Sequence, residues 1–204
     1  MLKDTPDFYN DLDKVYFKIW NLLNKGLLNR NSSFHLPTFV CGENKIFDGR
    51  TVVLRGIDQK NKILWFHTDI RSKKIKILKT NPAGSFLFYD KDEKIQLRIF
   101  GNAKINYQND ITKIAWEKTV HMSRQCYLGK EIPGMDSLSP TSGLSENVDN
   151  FKYSIEESEA GYKNFSVIQT FITSIEWLYL AAKGHRRAHF DLKNDSVEKK
   201  WIIP

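Results

Sequence analysis

The stretch from Arg50 to Gly101, RTVVLRGIDQKNKILWFHTDIRSKKIKILKTNPAGSFLFYDKDEKIQLRIFG, leaves this chain few folds to choose from. Residues 51–57 are β-branched and apolar, residues 58–61 form a polar turn, and residues 62–68 return as a second strand, so the pair predicts a hairpin. Residues 84–89 and 94–107 repeat the device around the acidic turn 90–93. Between the hairpins the period changes: Ile75 and Leu78 stand three apart, as on a short helix over 72–80, which Asn81-Pro82 stops. Strands joined by such tight turns pair antiparallel with their sequence neighbours, and the βαβ alternation of a parallel sheet is missing.

The flanking sequence agrees. Residues 32–41 are extended and interrupted by Pro37, as an edge strand would be. Residues 165–180, 185–192 and 197–204 supply further strands. Helices are predicted after Thr5-Pro6-Asp7, with apolar positions from Phe8 to Leu23 at helical spacing, and after Asp110 as cap. The expected fold is mainly β with peripheral helices, an antiparallel barrel. It is expected to be one domain over 1–204, with an N-terminal helix in 1–30, the main barrel strands in 34–107, a long Ser/Pro/Gly-rich loop in 131–150 and C-terminal strands in 165–204. With 204 residues and 41% hydrophobic content the chain can bury a core. Two cysteines and no CxxC argue against a disulfide framework, and no apolar run is long enough for a membrane span. A cytoplasmic protein is expected, with no membrane partner. The +7 net charge is spread along the chain instead of clustered, so nucleic acid is not the expected partner.

Candidate binding residues fall in four places. Arg71, Ser72, Lys73 and Lys74 open the predicted helix, where free N–H groups and the dipole favour an anion; a solvated charged turn is the plain alternative. Arg50 and Arg55 bracket a strand otherwise made of Thr51, Val52, Val53 and Leu54. On a straight strand they face opposite sides, and ion pairs with Asp48 or Asp58 would also account for them. Gln96 and Arg98 share one strand face. Arg187 and His189, with His185, share another and could hold a phosphate and move a proton. No metal pattern, GxSxG, GxGxxG or P-loop motif occurs.

In order and spacing, Arg50 to Arg55, Phe66-His67-Thr68-Asp69, Ser72-Lys73-Lys74, Asn81-Pro82, Phe86 to Phe88 and Gln96 to Gly101 resemble pyridoxamine 5′-phosphate oxidase and its broader FMN-binding relatives. So does the ending, with Ile175-Glu176-Trp177, His185 to His189 and Trp201 to Pro204. The resemblance implies a homodimeric FMN-binding split β-barrel with flavin in clefts between the subunits. Arg50, Thr51, Val52, Val53, Leu54 and Arg55 would line the flavin. His67 and Thr68 would contact its ring or chain. Ser72, Lys73 and Lys74 would hold its phosphate, Gln96 would bond the isoalloxazine from the second subunit, and Trp177 would flank it. Arg55, Arg124, Arg187 and His189 would bind substrate.

The activity implied is that of an FMN-dependent oxidoreductase, moving a hydride equivalent between the flavin and a small, phosphorylated or other substrate. A non-catalytic FMN-binding, storage or sensing protein is the alternative. The chain departs from the oxidase pattern at several positions. Arg55 stands for a substrate-contacting Lys and His67 for a Tyr. Val120 stands for another Tyr, and Asp191 reverses the charge of a flavin-contacting Arg. These departures bear harder on pyridoxamine phosphate specificity than on FMN.

Overall fold

A computed structural model describes residues 5–43, 45–193 and 196–204. Its centre is one antiparallel sheet in the order β2-β1-β5-β6-β7-β4-β3, extended from β7 through β8 to β9. The strands are β1 (Thr38–Glu43), β2 (Ile46–Thr51), β3 (Gly56–Asp58), β4 (Ile63–Asp69), β5 (Ala83–Asp90), β6 (Ile95–Asn106), β7 (Phe165–Tyr179), β8 (Arg186–Asp191) and β9 (Glu198–Ile202). The expected hairpins β3–β4 and β5–β6 both form.

The sheet curls on itself. Phe66 on β4 stands several strands from β1 and β5 in the sheet order, yet its ring lies 4.9 Å from Phe39 of β1 and 6.0 Å from Phe86 of β5. These rings, with Leu97, Ile99, Ile168 and Ile175, form a fully buried interior. Strands alternate sides residue by residue, and on β6 the apolar members Ile95, Leu97 and Ile99 are buried while Gln96 and Arg98 are half-buried on the other face.

One expected strand is interrupted. Residues 51–57 do not run as one strand: β2 ends at Thr51 and β3 begins at Gly56. The segment between them changes partners. Val52 and Leu54 donate to the carbonyls of Pro37 and His35, and Arg55 donates to Trp65 on β4. The segment thus stitches the lead-in of β1 to β4 and helps to close the barrel, with Val52 and Leu54 buried inside.

Helix α1 (Leu12–Leu28) starts later than Thr5 predicts: Asp11 is its cap, accepting from the N–H groups of Asp13 and Lys14. Phe8 precedes the helix and still reaches the core, edge-on to Trp177 at 6.0 Å. Helix α2 (Lys73–Thr80) matches expectation, and its buried Ile75, Ile77 and Leu78 anchor it to the barrel. Helix α3 (Asp110–Glu117) is capped by Asn109 instead of Asp110, through a reciprocal pair with Thr112. The one-turn helices α4 (His121–Arg124), α5 (Glu146–Asp149) and α6 (Ile155–Ser158) interrupt the long connection to β7. Among the described residues no helix is long and apolar enough to cross a membrane.

The β6–β7 ladder shifts register at Phe100/Gly101, where the two backbones come close. A Cβ built on Gly101 would lie 2.3 Å from the Phe171 carbonyl oxygen. Gly101→Ala is therefore expected to cost roughly 1–3 kcal/mol, because β7 must move to admit it. Urea unfolding of the variant checks this, and an unchanged midpoint would contradict the close approach.

Candidate functional site

The partner-switching segment Thr51–Arg55 decides where the candidate side chains go. Because the chain leaves β2 at Thr51 and rejoins the sheet at Gly56, Arg50 and Arg55 line one cavity instead of facing opposite sides. That cavity, about 330 Å³, is walled by Thr51, Val52 and Val53 from this segment and by His67, Thr68 and Asp69 from β4. Lys74 enters from α2, and Thr119, Ser123, Cys126 and Tyr127 close it from the connection after α3.

The charges here do not balance. Arg50 pairs with Asp48, and Arg71 takes both oxygens of Asp69, with Nη2–Oδ2 at 2.7 Å. Arg71 also donates to the carbonyls of Gly129 and Lys130, so it fastens the following loop and is not presented to the cavity. Lys74 is buried and hydrogen-bonds only to hydroxyls: Nζ donates to Thr68 Oγ1 at 2.6 Å and Ser72 Oγ at 3.0 Å. Burial, with the Arg50 charge nearby, lowers the Lys74 pKa to about 8. Burial and the Arg55 charge hold His67 at about 3, so its imidazole is neutral at pH 7. Its ring sits edge-on to Phe165 at 4.8 Å. Arg50 Nε is buried without a hydrogen-bond partner. Buried donors, an unmatched lysine and an orphaned guanidinium N–H call for an anion.

Comparison with known proteins shows what the surrounding chain is similar to. Residues 19–107 match the family model described as pyridoxamine 5′-phosphate oxidase, FMN-binding domain. This stretch is similar to the FMN-binding domain of that family. A curated relative, pyridoxine/pyridoxamine 5′-phosphate oxidase 2 of Arabidopsis thaliana, is 32% identical over 90 residues, covering 42% of this chain. The chain spans about half, 46%, of the length of that relative. Among solved structures, a pyridoxamine 5′-phosphate oxidase-related FMN-binding protein from Nostoc punctiforme superposes with a TM-score of 0.74 at 16% identity, covering 99% of this chain and 100% of its own. PhzG from Burkholderia lata, solved in complex with tetrahydrophenazine-1-carboxylic acid, gives 0.71 at 15%, covering 100% and 99%. At those identities the two structures speak for the fold.

The matched stretch contains the cavity's main walls, from Arg50 to Lys74, and their chemistry fits FMN. Phosphate suits Lys74 and the orphaned Arg50 Nε, beside the start of α2, whose opening N–H groups the Ser72 side chain does not cap. Ser72 Oγ instead accepts from Lys74. Lys73 is exposed and outside the cavity walls, and the Leu54 side chain points into the core.

Five other expected residues stand elsewhere. Trp177 is 0% exposed, packed between Phe8, Tyr179 and Trp201, so no cavity of this chain reaches it. Arg124 is fully used within the chain: it donates to the carbonyls of Trp116 and Thr119, to Ser158 Oγ and to Glu159, and stacks 4.7 Å over Trp116. Gln96, Arg187 and His189 lie on the outer face of the sheet, Gln96 opposite Tyr89 and Leu178, and His189 opposite Glu176 and Lys200. There Arg187 and Arg98 both bind Glu176. Burial alone would raise that carboxyl, but the two guanidinium groups hold it below its ordinary pKa. Asp69, Thr119, Ser123, Cys126 and Tyr127 were not singled out by sequence. Only Asp69 carried a signal, as the last residue of the His67-Thr68-Asp69 run.

A lysine whose folded pKa lies below its unfolded value binds fewer protons folded than unfolded between those two values. Stability of the flavin-free protein therefore rises with pH through the window from about 8 to about 10.4. Relative to Lys74→Met, the wild type should gain roughly 2 kcal/mol across that window. Urea melts of both proteins at pH 7.5 and pH 10.5 measure it; parallel behaviour would mean that Lys74 is not buried as described.

Proposed function

We propose that this protein is an FMN-dependent oxidoreductase of the pyridoxamine 5′-phosphate oxidase type, acting on a small substrate. The observation that carries the proposal is the unbalanced positive charge of the Arg50–Lys74 cavity, which lies in the stretch similar to an FMN-binding domain. Lys74 and Arg50 would hold the phosphate, and Thr68 and Ser72 would fix the ammonium through its hydroxyl bonds. Val52 and Val53 offer apolar wall to the rest of the cofactor. Neutral His67 offers one ring N–H and one acceptor nitrogen beside it. Bound FMN supplies two-electron redox chemistry. The protein supplies orientation and charge, and Arg55, with no carboxylate partner among the described residues, would draw an anionic substrate group to the cavity mouth.

A second copy of the chain belongs to this reading. Gln96, Arg187 and His189 line no cavity with Arg50 and Lys74 in one chain, and their outer sheet face exposes Leu87 and Tyr89. In a homodimer these residues could be delivered to the partner's cofactor.

Purified protein is mixed with FMN, and Kd is measured by flavin fluorescence. Lys74→Met should weaken binding about 10- to 100-fold, the loss of charge-assisted bonds to phosphate. Lys73→Ala should change it by less than about threefold, as exposed charges do. Equal effects of the two substitutions would sink the assignment. If FMN binds but neither amine substrates nor a nicotinamide donor changes its redox state, the protein is a flavin carrier or sensor instead.

A further inference from the structure

A second cavity, about 490 Å³, adjoins the cofactor cavity and shares Arg55, His67, Thr119 and Ser123 with it. Its volume suits a small organic ligand, which typically occupies about 300–1,000 Å³. Apolar walls come from three directions: Trp65 on β4, Val167 on β7, and Ile111 and Ile114 on α3. Around them stand three cations, Arg30 just beyond α1, Arg55, and Lys118 at the end of α3, with no Asp or Glu in the lining. Among the described residues none of the three cations has a carboxylate partner in an ion pair, whereas most of the other arginines here do. The Gln169 side-chain oxygen already accepts from Asn106 Nδ2 at 3.1 Å, which leaves its NH₂ as the end available to a ligand. The polar equipment of the cavity is therefore one-signed and donor-rich.

We infer that this cavity takes a flat, largely apolar molecule bearing one anionic group, and that Arg30 and Lys118 select for that charge. The inference rests on the flavin reading above, since adjacency to the cofactor cavity makes this the substrate end. It also changes which residues grip the substrate anion. Arg124, the expected anion holder, has every guanidinium nitrogen bonded inside the chain, so the task passes to cations on α3 and at the end of α1. An anion meets three opposite charges at the rim, while a cation would be repelled by them with no carboxylate in the lining to offset the repulsion. Isoleucines on α3, about half exposed at Ile114, would be covered by the ring of the ligand.

The test uses the FMN-mixed full chain and three probes of one shape and different charge: 2-naphthoate, 2-naphthylmethanol and 2-naphthylmethylamine. Calorimetry should rank naphthoate above the alcohol by at least about fivefold, with the amine weakest. Arg30→Gln and Lys118→Gln should each lower naphthoate affinity up to about fivefold, the ceiling for an exposed charge, and leave the alcohol and FMN affinities unchanged. Lys118→Arg should restore the preference. Equal binding of the three probes, or a double Gln variant whose preference for naphthoate is as large as that of the wild type, would overturn the inference. Loss of FMN retention would sink the flavin reading alone, because calorimetry on the flavin-free protein still measures the charge preference.

Discussion

Three backbone hydrogen bonds between Val52 and Arg55 hold the architecture together. Val52 and Leu54 donate toward Pro37 and His35, and Arg55 donates toward Trp65. A sheet of this size that stayed flat would leave long edges unpaired, and curling without a stitch would leave the buried N–H groups of this segment unsatisfied. The segment answers both demands in a few residues. It also explains why its apolar members are needed: Val52 and Leu54 fill the interior at the seam, where Phe39, Phe66 and Phe86 meet. The site follows from the same turn of the chain, because the change of partners brings Arg50 and Arg55 to one cavity.

That cavity is a poor bargain for stability. A buried ammonium satisfied only by two hydroxyls, and a guanidinium nitrogen without a partner, cost free energy that an apolar filling would not. The protein holds other buried or half-buried charges differently. Arg71 is bidentate to Asp69, and Arg124 is surrounded by carbonyls, a hydroxyl, a carboxylate and an indole. Where charge serves packing, it is neutralised; at Lys74 it is left open. The contrast within one chain supports the proposal that Lys74 is kept for a ligand.

The fold was largely legible because its hairpins carry their own period and turns. Residues 62–68, 84–89 and 94–107 announce their faces, and β4, β5 and β6 follow them. Where local signals competed, nearby alternatives won: Asp11 over Thr5 as the cap of α1, Asn109 over Asp110 at α3. The partner switch at residues 52–55 was invisible, since its residues have ordinary strand propensity and only tertiary pairing breaks them from β2. The site was legible where it lies on one contiguous motif, as at Arg50, His67, Thr68 and Lys74. Its far wall, Thr119 to Tyr127, was not, because an irregular connection brings those residues in without any period. Trp177 and Arg124 show the opposite failure: a residue type matched a pattern, and packing had already claimed the side chain.

The outer face of β6, β7 and β8 sets the remaining constraint. Gln96, Arg98, Glu176, Arg187 and His189 all project from it, since strand parity sends Leu97, Ile175, Trp177, Ala188 and Phe190 inward. A face pointing away from the barrel cannot serve a cavity among the strand ends of the same chain without a large bend, and the ladders are regular over residues 95–100 of β6 and 174–179 of β7, before the shift at Gly101. The charges on it are nonetheless organised, with one glutamate shared by two arginines, which orients the guanidinium groups and spares them from being solvated singly. This ordered, half-buried polar cluster, with exposed Leu87 and Tyr89 beside it, is the face that the proposed homodimer would cover. In the proposed homodimer the same parity that removes these residues from their own cofactor cavity is what makes them available to the other.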